Sequence, residues 1–151
     1  MIRIITPVSP ADFASYYQLR YAVLRAPWQQ PPGSERAPDD DRATHALLVD
    51  DAGQALGVCR LHLETPREAQ IRFMAIHPDY QGQGLGKLLL AYLEDQARAQ
   101  GARSISLQAR ENALPFYESC GYTVQEKTHL LFGQIQHYRM RKELKELKIE
   151  D

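Results

Sequence analysis

Apolar and polar positions change rhythm several times along the chain, and each change marks an element. Residues Ile2–Thr6 read as a short strand. Ser9, Pro10 and Asp12 form a helix start, with Ser9 as N-cap, Pro10 at the first position and Asp12 near the third. Phe13, Tyr16, Tyr17, Arg20, Tyr21 and Leu24 keep helical spacing to about Arg25, because Pro27 disfavours helix at Ala26. Residues 27–42 are rich in proline and charge. The single tryptophan, Trp28, argues that part of this stretch packs, so an ordered loop with a short helix is expected.

Strand rhythm returns over His45–Val49. Asp50–Gln54 is a hairpin turn, and Ala55–Leu63 comes back with Gly57 as a bulge or close approach. After the turn Glu64–Glu68, the run Gln70–Ile76 completes an antiparallel meander. A helical pattern follows from Leu85 to about Gln100. Leu85, Leu88, Leu89, Tyr92, Leu93 and Ala97 form its apolar stripe, Glu94, Asp95 and Arg98 its wet side, and Gly101 its stop. Ser104–Gln108 alternates as a strand, reached by a crossover long enough for parallel pairing. Asn112 is expected to cap a short helix over Ala113–Ser119, ended by Gly121. Tyr122–Lys127 and Gln134–Arg141 are the last strands, and a charged tail, 142–151, reads as a short solvated helix.

The stretch Gln81-Gly82-Gln83-Gly84-Leu85-Gly86-Lys87 sits between a strand and a helix, where it can hold an anion. Glycines let backbone approach a ligand, and the helix start offers unpaired N–H groups and a positive dipole end. The triphosphate loop G-x-x-x-x-G-K-[ST] fails at Gln81 and Leu88. The dinucleotide loop G-x-G-x-x-G fails at Lys87.

Composition narrows the choice. A chain of 151 residues, 44% hydrophobic and 25% charged, suits one globular domain, 1–151. A net charge of −1 gives no support to nucleic-acid or membrane attraction. Cys59 and Cys120 make no disulfide or metal pattern, and no Cys/His cluster suggests a metal. The N-terminus lacks a signal-peptide core and no apolar run approaches a membrane helix. A reduced, cytoplasmic setting is expected.

What the loop does fit is Q/R-x-x-G-x-G/A, which resembles the coenzyme A pyrophosphate loop of the GNAT superfamily of N-acyltransferases. The element order over residues 2–141 is similar to that superfamily's topology. The resemblance implies an α/β (α+β) fold with a mixed central sheet of about seven strands flanked by about four helices. Two further segments match. Met74-Ala75-Ile76 stands where family members hydrogen-bond the pantetheine arm. Phe116-Tyr117-Glu118-Ser119-Cys120-Gly121-Tyr122 resembles the segment whose tyrosine protonates the leaving thiolate. In much of the superfamily an asparagine stands where this chain has Arg110.

The resemblance implies an N-acetyltransferase moving an acetyl group from acetyl-CoA to a small or amino-acid-like amine by direct attack in a ternary complex. Tyr117 is the expected acid. Met74, Ala75, Ile76, Gln81, Gly82, Gln83, Gly84, Leu85, Gly86, Lys87 and Asn112 are the expected coenzyme contacts. Asn112 is equally an N-cap, and Lys87 equally a solvated lysine. A backbone N–H near Met74 is suited to stabilising the carbonyl oxygen. The glutamate some members carry early in the fourth strand is here Gln70, which takes no proton. His62, Glu64, His129, His137 or water remain as bases, and His45 reads as structural. Arg25, Trp28, Glu35, Asp39–Asp41 and Arg60 also resemble, more loosely, the run of homoserine-lactone autoinducer synthases. They place residues 20–42 on the acceptor side. The alternatives are such a synthase-like acyltransferase or a non-catalytic acyl-CoA-binding module. A homodimer suits the family.

Overall fold

The computed structural model describes residues 1–145. Strands β1 (Arg3–Ile5), β2 (Thr44–Val49), β3 (Ala55–Thr65), β4 (Glu68–Ile76), β5 (Ser104–Arg110), β6 (Thr123–Leu131) and β7 (Ile135–Glu143) form one seven-stranded sheet in the order β1-β2-β3-β4-β5-β7-β6. The α-helices are α1 (Pro10–Leu24), α2 (Leu85–Ala99) and α3 (Leu114–Ser119). The expected count of about four helices is corrected to three among the described residues. The remaining helical turns are single 3-10 turns at Ala26–Trp28, Asp40–Arg42, Pro78–Tyr80 and Glu111–Ala113.

The chain divides into two compact units, Met1–His62 with Arg72–Leu93, and Leu63–Ile71 with the described residues from Glu94 onward. In the first, α1 begins in a complete capping box. Ser9 Oγ accepts from the Asp12 N–H at 3.0 Å, and Asp12 accepts from the Ser9 N–H at 3.3 Å. These bonds hold the Asp12 carboxyl below the usual carboxylate range, the Val8 N–H contributing most. The helix stops at Leu24, before Pro27 as expected. Tyr16, Leu19 and Leu24 bury against Leu47, Val49, Val58 and Ala75. Each such side chain contributes about 1.5–3 kcal/mol of burial. The β2–β3 register shifts between Leu48 and Val49, opposite Gly57. A Cβ on Gly57 would sit 2.9 Å from Cδ1 of both Ile76 and Leu89, so the glycine is there for close approach.

In the second unit, Glu68–Ile71 of β4 pairs in parallel with Ser104–Leu107 of β5. The β5–β7 and β6–β7 pairs are antiparallel. β6 runs on to Leu131, beyond the Lys127 expected from its sequence. Of the expected tail, Lys142 and Glu143 belong to β7, and the Leu144 N–H donates to the Arg103 carbonyl at 2.8 Å. Positions 146–151 of that tail lie outside the described residues.

The α2 stripe needs two corrections. Leu88 is 51% exposed and Leu90 is buried in its stead, while Tyr92 is half-buried. Glu94 is not on the wet side. It is 7% exposed, accepts from the Tyr122 hydroxyl at 2.9 Å, and pairs with Lys142 at 3.0 Å. Asn112 is not an N-cap either. It is exposed within the Glu111–Ala113 turn, and the residue before α3 is Ala113, with no side-chain cap bond.

Candidate active site

The glycine-rich loop is built where the sequence places it. β4 ends at Ile76, the His77 N–H donates to the Leu56 carbonyl at 2.8 Å, and the Pro78–Tyr80 turn carries the chain into the loop. Gln81 Nε2 donates to the Ile76 carbonyl at 3.2 Å, tying the loop to the strand end. Gly82 and Gly84 have φ of +79° and +80°, and a Cβ on either would meet no atom within 4 Å. The left-handed conformation is what requires glycine there, and the open space lets a ligand reach the backbone. The first α2 bond outside the regular ladder is Leu88 N–H to Gly84 carbonyl, 3.3 Å, which leaves the N–H groups of the first turn for an anion. Gln83 and Lys87 are exposed, Gly86 half-buried and Leu85 buried. Open glycines leading into a 15-residue helix fit a pyrophosphate.

The strand before the loop holds a conformation that periodicity does not announce. Phe73 has φ of +60°, uncommon for a bulky residue and costly, about 1–3 kcal/mol. Met74 and Ile76 are half-buried and Ala75 is buried. Around the Phe73 ring stand the guanidiniums of Arg20 at 4.1 Å, Arg72 at 4.5 Å, Arg60 at 5.5 Å and Arg25 at 5.6 Å.

Residues 20–42 are ordered, as expected, and close on this cluster. Asp40 binds Arg20 at 2.8 Å through Oδ2 and Arg60 at 2.7 Å through Oδ1, and both arginine side chains are fully buried. Asp39 takes the other side of Arg60 with contacts of 2.7 and 2.9 Å. Arg60 holds the Asp39 carboxyl well below its ordinary range. Burial opposes ionisation of Asp40, but the Ala37 N–H and the two guanidiniums outweigh it, so its pKa is also lowered. His45 is structural. Its Nε2 donates to the Asp40 carbonyl at 2.6 Å, so Nδ1 is left to accept from the Tyr16 hydroxyl at 2.7 Å. Burial lowers the His45 pKa in keeping with that neutral tautomer. Trp28 is half-buried, and Arg25 donates to the carbonyls of Ser34 and Leu24.

In the second unit, Tyr117 is buried to 8% exposure, its ring edge-on to Phe116 at 5.0 Å and Tyr122 at 5.9 Å. The guanidinium of Arg110, its pKa lowered by burial, lies in the electrostatic reach of Tyr117. Arg110 also pairs across the sheet with His137. His137 stacks on His129 with centroids 4.4 Å apart. Its Nδ1 contacts the Ile135 carbonyl at 3.0 Å. A carbonyl only accepts, so Nδ1 carries the proton and Nε2 keeps its lone pair. Burial lowers the His137 pKa, and the neighbouring His129 and Arg110 add to this.

The other suggested bases are less suited. His62 Nδ1 faces Arg60 at 3.0 Å, and Glu64 and His129 are exposed. Cys59 is fully buried, its thiol pushed up to about 12 by burial, which argues against Cys59 as a covalent nucleophile. No group of three or more metal-ligating side chains exists among the described residues. No helix there is long and apolar enough to cross a membrane. Sequence reasoning missed Arg72, Phe73 and the role of Arg110. Arg72 and Phe73 stood inside a recognised strand, where alternation gives no sign of a left-handed residue.

Comparison with known proteins identifies the family. Residues 13–122 match the family described as the Acetyltransferase (GNAT) family. The chain is 32% identical over 123 residues to the [ribosomal protein bS18]-alanine N-acetyltransferase of Haemophilus influenzae, covering 79% of this chain and 80% of that protein. It is 39% identical over 67 residues to the N-acetyltransferase ycf52 of Gracilaria tenuistipitata var. liui, covering 44% of this chain but only 37% of that protein. An aminoglycoside 6'-N-acetyltransferase complexed with coenzyme A shares the fold, with a TM-score of 0.80, 14% identity and 99% of each chain covered. The chain belongs to the GNAT family of acetyltransferases.

Proposed function

We propose that the protein transfers an acetyl group from acetyl-CoA to the amine of a small or amino-acid-like acceptor, by direct attack within a ternary complex. The observation that carries this reading is the open glycine loop, left-handed at Gly82 and Gly84, at the start of α2 and directly after β4. Backbone N–H groups of residues 82–87 hold the pyrophosphate, and the Gln81 amide, a further coenzyme contact, also ties the loop to the end of β4. The Met74–Ile76 backbone takes the pantetheine arm, and an N–H near Met74 faces the carbonyl oxygen. Asn112 and Lys87, both exposed, are peripheral contacts at most.

In the reaction the amine nitrogen bonds to the thioester carbon and the C–S bond breaks. Tyr117 donates its hydroxyl proton to the departing thiolate, whose basicity is comparable. Nε2 of His137, the unprotonated nitrogen of a neutral imidazole, accepts the proton lost by the amine, directly or through water.

Calorimetric titration of acetyl-CoA and of ATP, followed by thiol release across a panel of amines, tests the reading. Acetyl-CoA binding with amine-dependent thiol release is expected. Tight ATP binding without acetyl-CoA binding would sink it.

A further inference from the structure

The arginine cluster around Phe73 is unbalanced. Four guanidiniums stand within 6 Å of the ring centroid: Arg20, Arg25, Arg60 and Arg72. The carboxylates that neutralise part of this charge are Asp39 and Asp40, and both are fully engaged. Asp39 gives its two oxygens to Arg60. Asp40 Oδ1 accepts from Arg60, while Oδ2 accepts from Arg20, from the Tyr17 hydroxyl and from the Ala37 N–H. Arg20 and Arg60 are buried and still have an Nε–H each with no acceptor among the described residues.

Arg72 is the member with no local explanation. Its guanidinium has no hydrogen bond or ion pair with any described residue, and its contact is with the Phe73 ring at 4.5 Å. It reaches solvent, whereas Arg20 and Arg60 are locked inside. Partial desolvation, and then the like charges of Arg60 and Arg20, lower its pKa, while the pull of Asp39 and Asp40 offsets this only in part. A solvated arginine needs no such crowd of cations. Its place is also specific: one residue before the left-handed Phe73 and two before Met74, on the strand assigned to the reacting thioester.

We infer that Arg72 binds an oxyanion on the acceptor, a carboxylate or phosphate borne by the same molecule as the reacting amine. This deepens, and rests on, the acetyl-transfer reading of the same site. A free guanidinium fork matches a carboxylate or phosphate edge with two parallel hydrogen bonds. Phe73 stacks beneath it and limits its rotation, so less freedom is lost on binding. Diamines and polyamines, which bring more positive charge to a surplus of the same sign, are excluded.

The test uses the full chain with acetyl-CoA and three matched acceptor sets: free amino acids, their carboxamides, and aminoalkyl phosphates. Thiol release is the readout. The expected result is at least about a tenfold preference in kcat/KM for an anionic acceptor over its carboxamide, carried by KM. The first and third sets tell carboxylate from phosphate. Arg72→Gln should abolish the preference and Arg72→Lys restore part of it, with acetyl-CoA affinity retained in both as proof of folding. Equal use of acids and carboxamides by the wild type, or an undiminished preference in Arg72→Gln, would overturn the inference while leaving acetyl transfer standing. If no amine turns over, the acetyl-transfer reading itself fails. Titration of the same acids and carboxamides into the CoA-bound protein then decides this point: acid-selective binding lost in Arg72→Gln upholds it, and no selectivity overturns it.

Discussion

Arg60 and Asp40 meet at 2.7 Å inside the first unit, and the same carboxylate also holds Arg20 at 2.8 Å. One acidic side chain therefore anchors two buried cations and, through its backbone carbonyl, His45. Asp40→Asn keeps the shape but leaves both guanidiniums short of a charge. The expected cost is about 3–5 kcal/mol. Chemical denaturation should show it, and the melting temperature should fall by roughly 10 °C.

The two carboxylates on Arg60, Asp39 and Asp40, set an acid limit. Asp39 and Asp40 have lowered pKa values in the folded chain, whereas in the unfolded chain they protonate near ~4. Their contribution is complete above that value and is lost as pH falls toward the folded values, because the unfolded state then binds more protons. Stability measured between about pH 5 and 2 should decline, and Asp39→Asn should flatten the decline.

Tyr117→Phe keeps the buried ring and its contacts with Phe116 and Tyr122 but removes the proton. Turnover should drop by about 10²-fold or more with little change in acetyl-CoA affinity. Equal turnover in the two proteins would remove Tyr117 as the acid.

His137 is held neutral by burial, with help from His129 and Arg110. The acidic limb of kcat/KM should thus lie below the ordinary histidine value of ~6.5. Activity rises as pH climbs through that limb, since the neutral imidazole is the working form. His137→Gln should erase the limb and slow the reaction by about 10²-fold. A pH profile unchanged in the variant would shift the role to water or another group.

Gly84→Ala forces a side chain into a left-handed position, at a cost of about 1 kcal/mol, although nothing crowds the new Cβ. The loop should relax away from its shape, weakening acetyl-CoA roughly fivefold by calorimetry.

What the sequence made legible was local. The capping box at Ser9, the turn at Asp50, the glycine loop and the strand feeding it all follow from neighbours a few residues apart. The second helix was harder. Its stripe predicted Leu88 inside and Glu94 outside, because spacing alone cannot know of partners 28 and 48 residues away, Tyr122 and Lys142. Arg20 looked like one more position on the α1 face, and only the Asp40 carboxylate and the Glu35 carbonyl, 20 and 15 residues further along, explain how a cation is buried there. Asn112 had the residue type of a cap without the place, since the 3-10 turn delays α3 to Leu114. The four suggested bases were separated only by their hydrogen bonds and their burial.

Phe73 has one more consequence. A strand of alternating residues can slide by two positions and still present the same faces, which makes its alignment easy to mistake. β4 has no such freedom. Such a slide would carry Ile71 or Ala75 into the left-handed position that Phe73 occupies, while removing the ring from its arginines. The costly backbone angle thus works as an index mark during folding, selecting a single alignment of β4 before any ligand arrives.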